Sequence, residues 1–250
     1  MNTIDQEWYF NLKDVLHFGQ RISPRGKNTL ELVAETSKID MNYPILVNPI
    51  RAINYKFMAA ECYWILSGDN RVDGIAPYMQ IIKNFSDDGE TFFGAYGPKV
   101  IGQLKYVIEK LNKDPDTRQA TLSIWRENPP ETKDYPCTIA MTFFIRNDAI
   151  HCHTTMRSND LWLGRPYDVF NFSMITNAVR LWLDKKYKLG SLHLTATSMH
   201  VYENNFEAAH EVLEMPLAKS PKIKEFDSFT HLMASLDIVR QTGDIQCLIG

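Results

Sequence analysis

The side chain best suited to covalent chemistry is Cys137, which follows Tyr135-Pro136 at the start of a predicted strand. A residue placed there, after the proline-rich loop 128–136, would face a cleft at the edge of a sheet. A thiolate in such a cleft is a nucleophile, and a neighbouring arginine would favour the thiolate over the thiol. The alternative is an inert cysteine, because most cysteines are small buried apolar residues.

Arginines that would bind an anionic substrate occur at two places in the chain. Arg157-Ser158 offers a bidentate charged donor beside a hydroxyl, a combination that suits a phosphate group. Arg118 follows a Pro-Asp turn and is a second candidate phosphate ligand. The alternative for either arginine alone is a surface salt bridge, which contributes little.

Two acidic residues, Glu61 and Asp168, occupy positions that indicate a specific structural or functional role. Glu61 lies in an apolar predicted helix, where an acid is costly unless it is paired or functional. Asp168 stands at the predicted start of a long helix, directly after residues 163–167. It would be either an N-cap or a carboxylate that points into the cleft.

Two pairs of polar residues alternate along predicted strands, so each pair shares one face of its strand. His200 and Tyr202 would bind a sugar hydroxyl or form a half-buried pair. His151 and His153 are only two histidines without a third ligand nearby, so we expect no metal site.

The elements that hold these residues follow from hydrophobic periodicity. The strands and helices alternate irregularly, which favours a mixed α/β (α+β) fold with one large sheet flanked by helices. No linker or repeat marks a boundary, so residues 1–250 are predicted to form a single domain. The predicted helices are near 5–18, 50–67, 100–112, 169–183 and 204–213; the predicted strands are 29–33, 120–124 and 192–196, with a hairpin of 138–146 and 149–155 around Asn147-Asp148.

Composition excludes several classes of protein. Hydrophobic residues are 44% and charged residues 23%, as in a folded globular domain, and the formal net charge is −3. That charge argues against a nonspecific nucleic-acid binder. No window holds the roughly 18 apolar residues of a membrane span, and MNTIDQEWYF lacks the features of a signal peptide. Together with four widely spaced cysteines, these observations predict a cytoplasmic protein with no nucleic-acid or membrane partner.

In their order along the chain, these segments resemble the thymidylate synthase family, and within it the deoxycytidylate hydroxymethylases of phages. No single motif is strong, but the ordered set is very improbable by chance and spans most of the chain. The matching segments are Glu61 with the run 64–69 after it, Tyr96-Gly97, the loop 114–118, Pro136-Cys137, the run 157–160 followed by Leu163-Gly164, and His200-Val201-Tyr202.

The resemblance implies a thymidylate synthase-like fold and a homodimer formed through the sheet. It also implies 5,10-methylenetetrahydrofolate as the one-carbon donor and a role for each matched residue. Arg118 would be donated across the dimer interface to the neighbouring subunit. The implied catalytic residues are Cys137, Glu61, Asp168 and Tyr96; the implied nucleotide-binding residues are Arg157, Ser158, Arg118, Arg25, Asp168, His200 and Tyr202; the implied folate-binding residues are Asp160, Leu163 and Gly164.

Three departures from the synthase pattern point to a different substrate. Asp168 stands where synthases have the Asn that reads uracil, Thr138 replaces a His, and Met156 replaces a Gln. The phage deoxycytidylate hydroxymethylases share all three departures. Gln119 replaces a second phosphate arginine, and residues 77–90 lack the tryptophan that synthases place beside the folate. A more open site would let water, rather than hydride, complete the reaction.

An acid at position 168 changes which base can pair with the site. A carboxylate can accept from N4 of cytosine, and also from N3 if N3 is protonated, whereas it would face O4 of uracil without a proton. A mismatch costs roughly 1–3 kcal/mol, and more if one of the groups is charged, which predicts a preference for cytosine of about tenfold to several hundred-fold. The predicted reaction converts dCMP to 5-hydroxymethyl-dCMP through a covalent Cys137 adduct. The alternatives are dCMP methylation to 5-methyl-dCMP with release of dihydrofolate, CMP hydroxymethylation, and a non-catalytic nucleotide-binding regulator.

Overall fold

A computed structural model describes residues 2–250. Within that range the strands form one seven-stranded mixed sheet in the order β1-β2-β7-β5-β4-β3, with the short β6 paired to β7. The β5–β7 and β6–β7 pairs are parallel and the other pairs are antiparallel. The strands are β1 (Gln20–Ile22), β2 (Thr29–Asp40), β3 (Thr121–Ser123), β4 (Thr138–Arg146), β5 (Ala149–Met156), β6 (Asn159–Asp160) and β7 (Lys188–Tyr202).

Helices pack on this sheet and bury most of the apolar side chains. The central helix α5 is almost entirely buried and contacts both β5 and β7, while α2 packs between α4, α5 and α7. None of the helices within residues 2–250 combines the length and the apolar character needed to cross a membrane. The helices are α1 (Ile4–Phe18), α2 (Tyr55–Leu66), α3 (Val72–Ile75), α4 (Tyr96–Lys113), α5 (Arg165–Leu181), α6 (Phe206–Glu214) and α7 (Phe229–Thr242).

The predicted β4–β5 hairpin is confirmed, and the residues of its turn explain why it could be predicted from the sequence. Asn147 and Asp148 both adopt positive φ, 53° and 55°, as a two-residue hairpin turn requires. Asn and Asp tolerate this left-handed region better than most residues. The hairpin places the residue before β4 beside the residue after β5, and this juxtaposition builds the candidate site.

Several predicted boundaries were wrong. The second helix starts at Tyr55 rather than near residue 50, because Asn54 caps it through the N–H of Phe57. The predicted strands 29–33 and 192–196 are parts of the longer β2 and β7, which pair from Thr29 opposite Tyr202 to Asp40 opposite Ser191. Helix α7 was not predicted. The single-domain organisation and the dimer through the sheet stay predictions.

Candidate active site

Cys137 lies directly before β4, as predicted, and is half-buried. Its carbonyl oxygen accepts a hydrogen bond from the N–H of Arg157 at 2.9 Å, which ties the start of β4 to the residue that follows β5. The same pairing brings the side chains together, since Nη2 of Arg157 lies 3.8 Å from Sγ of Cys137. The sheet register therefore creates the predicted pair of a thiol and a guanidinium.

The guanidinium of Arg157 is held in place by neutral groups. Its Nε donates to the carbonyl of Pro136 at 3.0 Å and its Nη2 to the carbonyl of Tyr135 at 2.9 Å. It also lies 5.9 Å from the ring of Trp125. No carboxylate within residues 2–250 forms a salt bridge with it. The positive charge thus remains available to an anion, so the alternative of a surface salt bridge is wrong for Arg157.

Burial raises the pKa of the Cys137 thiol. The charge of Arg157 opposes this effect, and so does the more distant Arg25, whereas Asp168 and Asp134 reinforce it. The expectation that a neighbouring arginine favours the thiolate is therefore correct in direction, but burial outweighs it. The free protein holds Cys137 as a thiol, and the proton must leave for the sulfur to act as a nucleophile.

Tyr96 is the first residue of α4, and its hydroxyl reaches the start of β4. The phenolic oxygen accepts a hydrogen bond from the N–H of Thr138 at 3.1 Å. Burial raises the pKa of Tyr96 well above its usual value, and the charges of Cys137 and Asp168 raise it further. The hydroxyl therefore keeps its proton next to the thiol and can donate a hydrogen bond.

Asp168 lies inside α5 and is not an N-cap. Helix α5 begins at Arg165, because Pro166 suits the first turn and Gly164 occupies the cap position. The N–H of Asp168 is already bonded to the carbonyl of Gly164 at 2.9 Å. A Cβ at position 164 would lie 3.3 Å from Oδ2 of Asp168, so glycine leaves room for the carboxyl group.

Burial raises the pKa of Asp168 to about 8. The nearby carboxyls of Glu61 and Asp160 raise it further, while Arg165 and a hydrogen bond from Asn159 lower it. That bond joins Nδ2 of Asn159 to Oδ2 of Asp168 at 2.9 Å. At neutral pH the carboxyl group is therefore largely protonated.

Glu61 projects from α2 toward α5. Its Oε2 accepts a hydrogen bond from Nδ2 of Asn171 at 2.7 Å, and burial raises its pKa to about 7. The charge of Glu61 raises the proton affinity of Asp168, so at least one proton stays in this pair near neutral pH. Two neighbouring carboxyl groups with raised pKa values, of which Asp168 also affects the pKa of Cys137, are suited to proton transfer.

A buried ionic network behind Asp168 was missed by sequence reasoning. Arg165 is 1% exposed, and its guanidinium is bonded to both carboxylate oxygens of Glu7. Its Nη1 also donates to Oδ1 of Asn159 at 2.8 Å. This bond fixes the orientation of the Asn159 amide and directs its NH2 group at Asp168. One available signal was Glu7 itself, an acid on the apolar face of α1 between Ile4 and Trp8.

The predicted sugar-binding pair lies at the end of β7. The rings of His200 and Tyr202 are 5.2 Å apart and nearly perpendicular, and His200 is 5% exposed. Asp160 in β6 pairs with His200 in register, and the charge of His200 opposes the rise in the pKa of Asp160. The pair and Asp160 therefore occupy the same end of the sheet.

The predicted folate residues form the turn between β6 and α5. Oδ1 of Asp160 accepts hydrogen bonds from the N–H groups of Trp162 at 2.8 Å and Leu163 at 3.0 Å. The side chain of Leu163 is 53% exposed. Arg51, which sequence reasoning did not single out, donates to the carbonyls of Trp162 and Leu163 and so braces this turn.

The remaining predicted residues differ in position. Ser158 follows Arg157 and is partly exposed. Arg25 is exposed in a 3-10 turn with φ 52°, close enough to Cys137 to affect the pKa of the thiol. Arg118 lies exposed in the loop after α4 and lines a separate cleft of about 400 Å³ with Lys110 and Lys113. Its donation to a neighbouring subunit stays a prediction.

The sequence is similar to those of known proteins of one family. A family model described as thymidylate synthase matches residues 6–236. The deoxyuridylate hydroxymethyltransferase of Bacillus phage SP01 is 33% identical over 222 residues, which cover 79% of this chain and 56% of the phage protein. The thymidylate synthase of Buchnera aphidicola (subsp. Acyrthosiphon pisum, strain APS) is 24% identical over 221 residues, 82% of each chain. The chain thus spans just over half of the length of the phage relative.

Proposed function

The chain belongs to the thymidylate synthase family, and from that premise we propose that it transfers a one-carbon unit to C5 of dCMP and releases 5-hydroxymethyl-dCMP. Membership of the family confirms the resemblance, and the single mixed sheet flanked by helices confirms the predicted fold class. The substrate, the product and the roles of individual residues are the parts that we propose.

The observation that carries the choice of base is the carboxyl group of Asp168, beside Cys137 and with a pKa of about 8. A protonated carboxyl group donates one hydrogen bond and accepts another. Cytosine offers an acceptor at N3 and a donor at N4. The carboxyl group of Asp168 can therefore form both hydrogen bonds, donating its proton to N3 and accepting from N4. Because N3 of cytosine is basic, partial transfer of that proton draws electron density from the ring and activates C6 toward the sulfur.

Discrimination between cytosine and uracil would depend on whether the carboxyl group of Asp168 carries its proton. A neutral Asp168 could also pair with uracil, since O4 accepts and N3–H donates. O4 is a far weaker base than N3 of cytosine, so uracil holds the shared proton less well as the pH rises through about 8. The preference for dCMP is therefore expected to increase with pH.

Because a neutral Asp168 could also pair with uracil, dUMP hydroxymethylation is the second candidate function. Two observations favour it: the phage relative is named a deoxyuridylate hydroxymethyltransferase, and the raised pKa keeps Asp168 largely neutral at pH 7. Asp168 still favours dCMP, because a carboxyl group that loses its proton cannot match O4 of uracil.

In the proposed reaction, Cys137, Tyr96 and Glu61 would have separate roles. Cys137 would add through sulfur to C6, with Arg157 at 3.8 Å stabilising the thiolate as the proton leaves. Tyr96, which keeps its proton, would hold a water molecule that removes the proton from C5. Glu61, with a pKa of about 7, can accept and return a proton near neutral pH.

The turn between β6 and α5 fits a folate. Leu163 offers an exposed apolar surface, and Oδ2 of Asp160 has no hydrogen-bond partner among the residues that the structure describes. Enzymes of the family use 5,10-methylenetetrahydrofolate, which supplies the one-carbon unit and, for methylation, also the hydride. Hydroxymethylation instead needs water at that carbon. Residues 77–90, where synthases place a tryptophan beside the folate, contain none in this chain, which supports access of water.

Release of tritium from C5 of labelled dCMP and dUMP tests the proposal. We expect folate-dependent release from dCMP, faster than from dUMP, in the wild type. Asp168→Asn should invert the preference, because an amide matches uracil. An unchanged preference for dCMP in that variant would refute the specificity argument. Tight dCMP binding without tritium release would favour a non-catalytic regulator, and dihydrofolate formation would favour the methylase. Competition between CMP and dCMP as substrates tests whether the ribonucleotide or the deoxyribonucleotide is preferred.

A further inference from the structure

A large cleft lies outside the proposed active site. It has a volume of about 730 Å³ and is bounded by the end of α5, the loop that leads into β7, and the segment 222–225. None of the residues proposed for the reaction lines it. Its residue Arg180 follows Asp168 by twelve positions on α5, which is about 18 Å along the helix axis.

The cleft concentrates positive charge on a chain that is acidic overall. Its carboxylates are fewer than its cations: only Asp40, Asp148 and Glu225 contribute acid groups. The whole chain, by contrast, has a formal net charge of −3. The cationic residues that line the cleft are Arg180, Lys185, Lys186, Lys188, Lys222 and Lys224.

Arg180 is a partly buried cation without a carboxylate partner. Its Nε donates to Oδ1 of Asn177 at 2.8 Å, and its other nitrogens donate to the carbonyls of Tyr187 at 3.3 Å and Phe226 at 3.1 Å. No salt bridge within 4.0 Å involves it in residues 2–250. Burial lowers the pKa of Arg180, and the charges of Glu225 and Asp227, neither of which forms a salt bridge with it, offset only part of this effect. An anion in the cleft would offset the remainder.

The carboxylates of the cleft do not neutralise its lysines. Asp148 is paired with Lys185 at 3.0 Å, and Asp40 accepts from the backbone and side-chain nitrogens of Asn42. Lys186, Lys188 and Lys222 are exposed and have no salt bridge in the described part of the chain. Three ammonium groups without a salt bridge therefore line the same cleft as Arg180.

We propose that this cleft is a binding site for a small ligand that carries several phosphoryl groups, such as a nucleoside triphosphate. Its volume falls in the range of small-molecule sites, about 300–1,000 Å³. Guanidinium and ammonium groups together are the usual ligands of phosphates. A nucleic acid fits less well, because the negative net charge of the chain would repel an extended polyanion.

Isothermal titration of the full chain with inorganic tripolyphosphate tests this site, with dCMP present at saturation to fill the proposed active site. The test variant is Lys186→Glu/Lys222→Glu. The matched control is Lys13→Glu/Lys219→Glu, which makes the same change of charge at two exposed lysines outside the cleft. Equal thermal midpoints of the two variants would show that both are folded.

We expect the wild type to bind one tripolyphosphate per chain, more weakly as salt is added. The cleft variant should lose at least about tenfold in affinity, since it removes two charge-assisted contacts, and the control should stay within about twofold. A parallel titration with dCTP should show the same loss in the cleft variant. Absence of binding, equal losses in both variants, or binding of an oligonucleotide at the cleft without binding of tripolyphosphate would overturn the proposal.

Discussion

The buried network of Glu7, Arg165 and Asn159 sets the orientation and the proton affinity of Asp168, and it can be perturbed without touching the substrate. Oδ1 of Asn159 is occupied by Arg165, so the amide can only donate to Asp168. That bond and the charge of Arg165 both lower the pKa of Asp168 against the effect of burial. Removing Arg165 should therefore raise the pKa of Asp168.

The expected loss of folding stability determines which variant of this network should be made. Arg165→Met alone would leave Glu7, which is 3% exposed, as a buried charge without its partner. Breaking a buried pair in this way costs about 3–5 kcal/mol, whereas replacing both partners is often neutral. The double variant Glu7→Gln/Arg165→Met is therefore the informative one, because it removes the positive charge and keeps the interior neutral.

In the double variant the Asn159 amide is free to turn its oxygen toward Asp168, which favours the protonated carboxyl group. Loss of a hydrogen bond worth about 0.5–1.5 kcal/mol moves the pKa of Asp168 upward by roughly 0.4 to 1.1. The alkaline limb of kcat/KM for dCMP should shift upward by the same amount. The rate with dUMP relative to dCMP should increase near pH 8, because a carboxyl group that stays neutral tolerates uracil.

The assay is the pH profile of tritium release from both nucleotides, with the thermal midpoint as a check on folding. A purely structural role for the network would lower activity equally with dCMP and dUMP and leave the pH profile in place. That outcome, in a variant that is folded, would refute the reasoning.

Three further outcomes follow from the geometry. Cys137→Ser should abolish turnover and retain dCMP binding in equilibrium dialysis; measurable product would remove Cys137 from the mechanism. Glu61→Gln should lower kcat by roughly 10²–10⁴ and abolish the rise in activity that ionisation of Glu61 produces near pH 7; comparison of the pH–rate profiles of the wild type and the variant checks this. Ser173→Ala should stabilise the protein by about 1 kcal/mol, because the hydroxyl is buried without a partner in the described chain and Ala favours the helix. Its thermal midpoint should rise by about 2–4 °C, and a fall would show that the hydroxyl is satisfied.

Local patterns were sufficient for the parts of the site that depend on one segment. The β4–β5 hairpin follows from its Asn-Asp turn, and the position of Cys137 follows from the proline-rich loop before β4. The pairing of Cys137 with Arg157 was also accessible, since a hairpin brings its two outer ends together.

Long-range packing accounts for what the sequence left undetermined. Arg165 and Glu7 are 158 positions apart, so no local pattern pairs them. Asp168 resembled an N-cap because it precedes a run of apolar residues, but the helix starts earlier, where Gly164 and Pro166 open it. The pKa of Cys137 depends on how deeply the fold buries the sulfur, which a motif does not specify.

The mass of the nucleotide product formed from dCMP with 5,10-methylenetetrahydrofolate tests the central claim most directly. We expect dCMP to gain the mass of one formaldehyde unit without accumulation of dihydrofolate, and dUMP to compete poorly at pH 8. A gain of one methylene unit with stoichiometric dihydrofolate, or a modified product from dUMP alone, would contradict it.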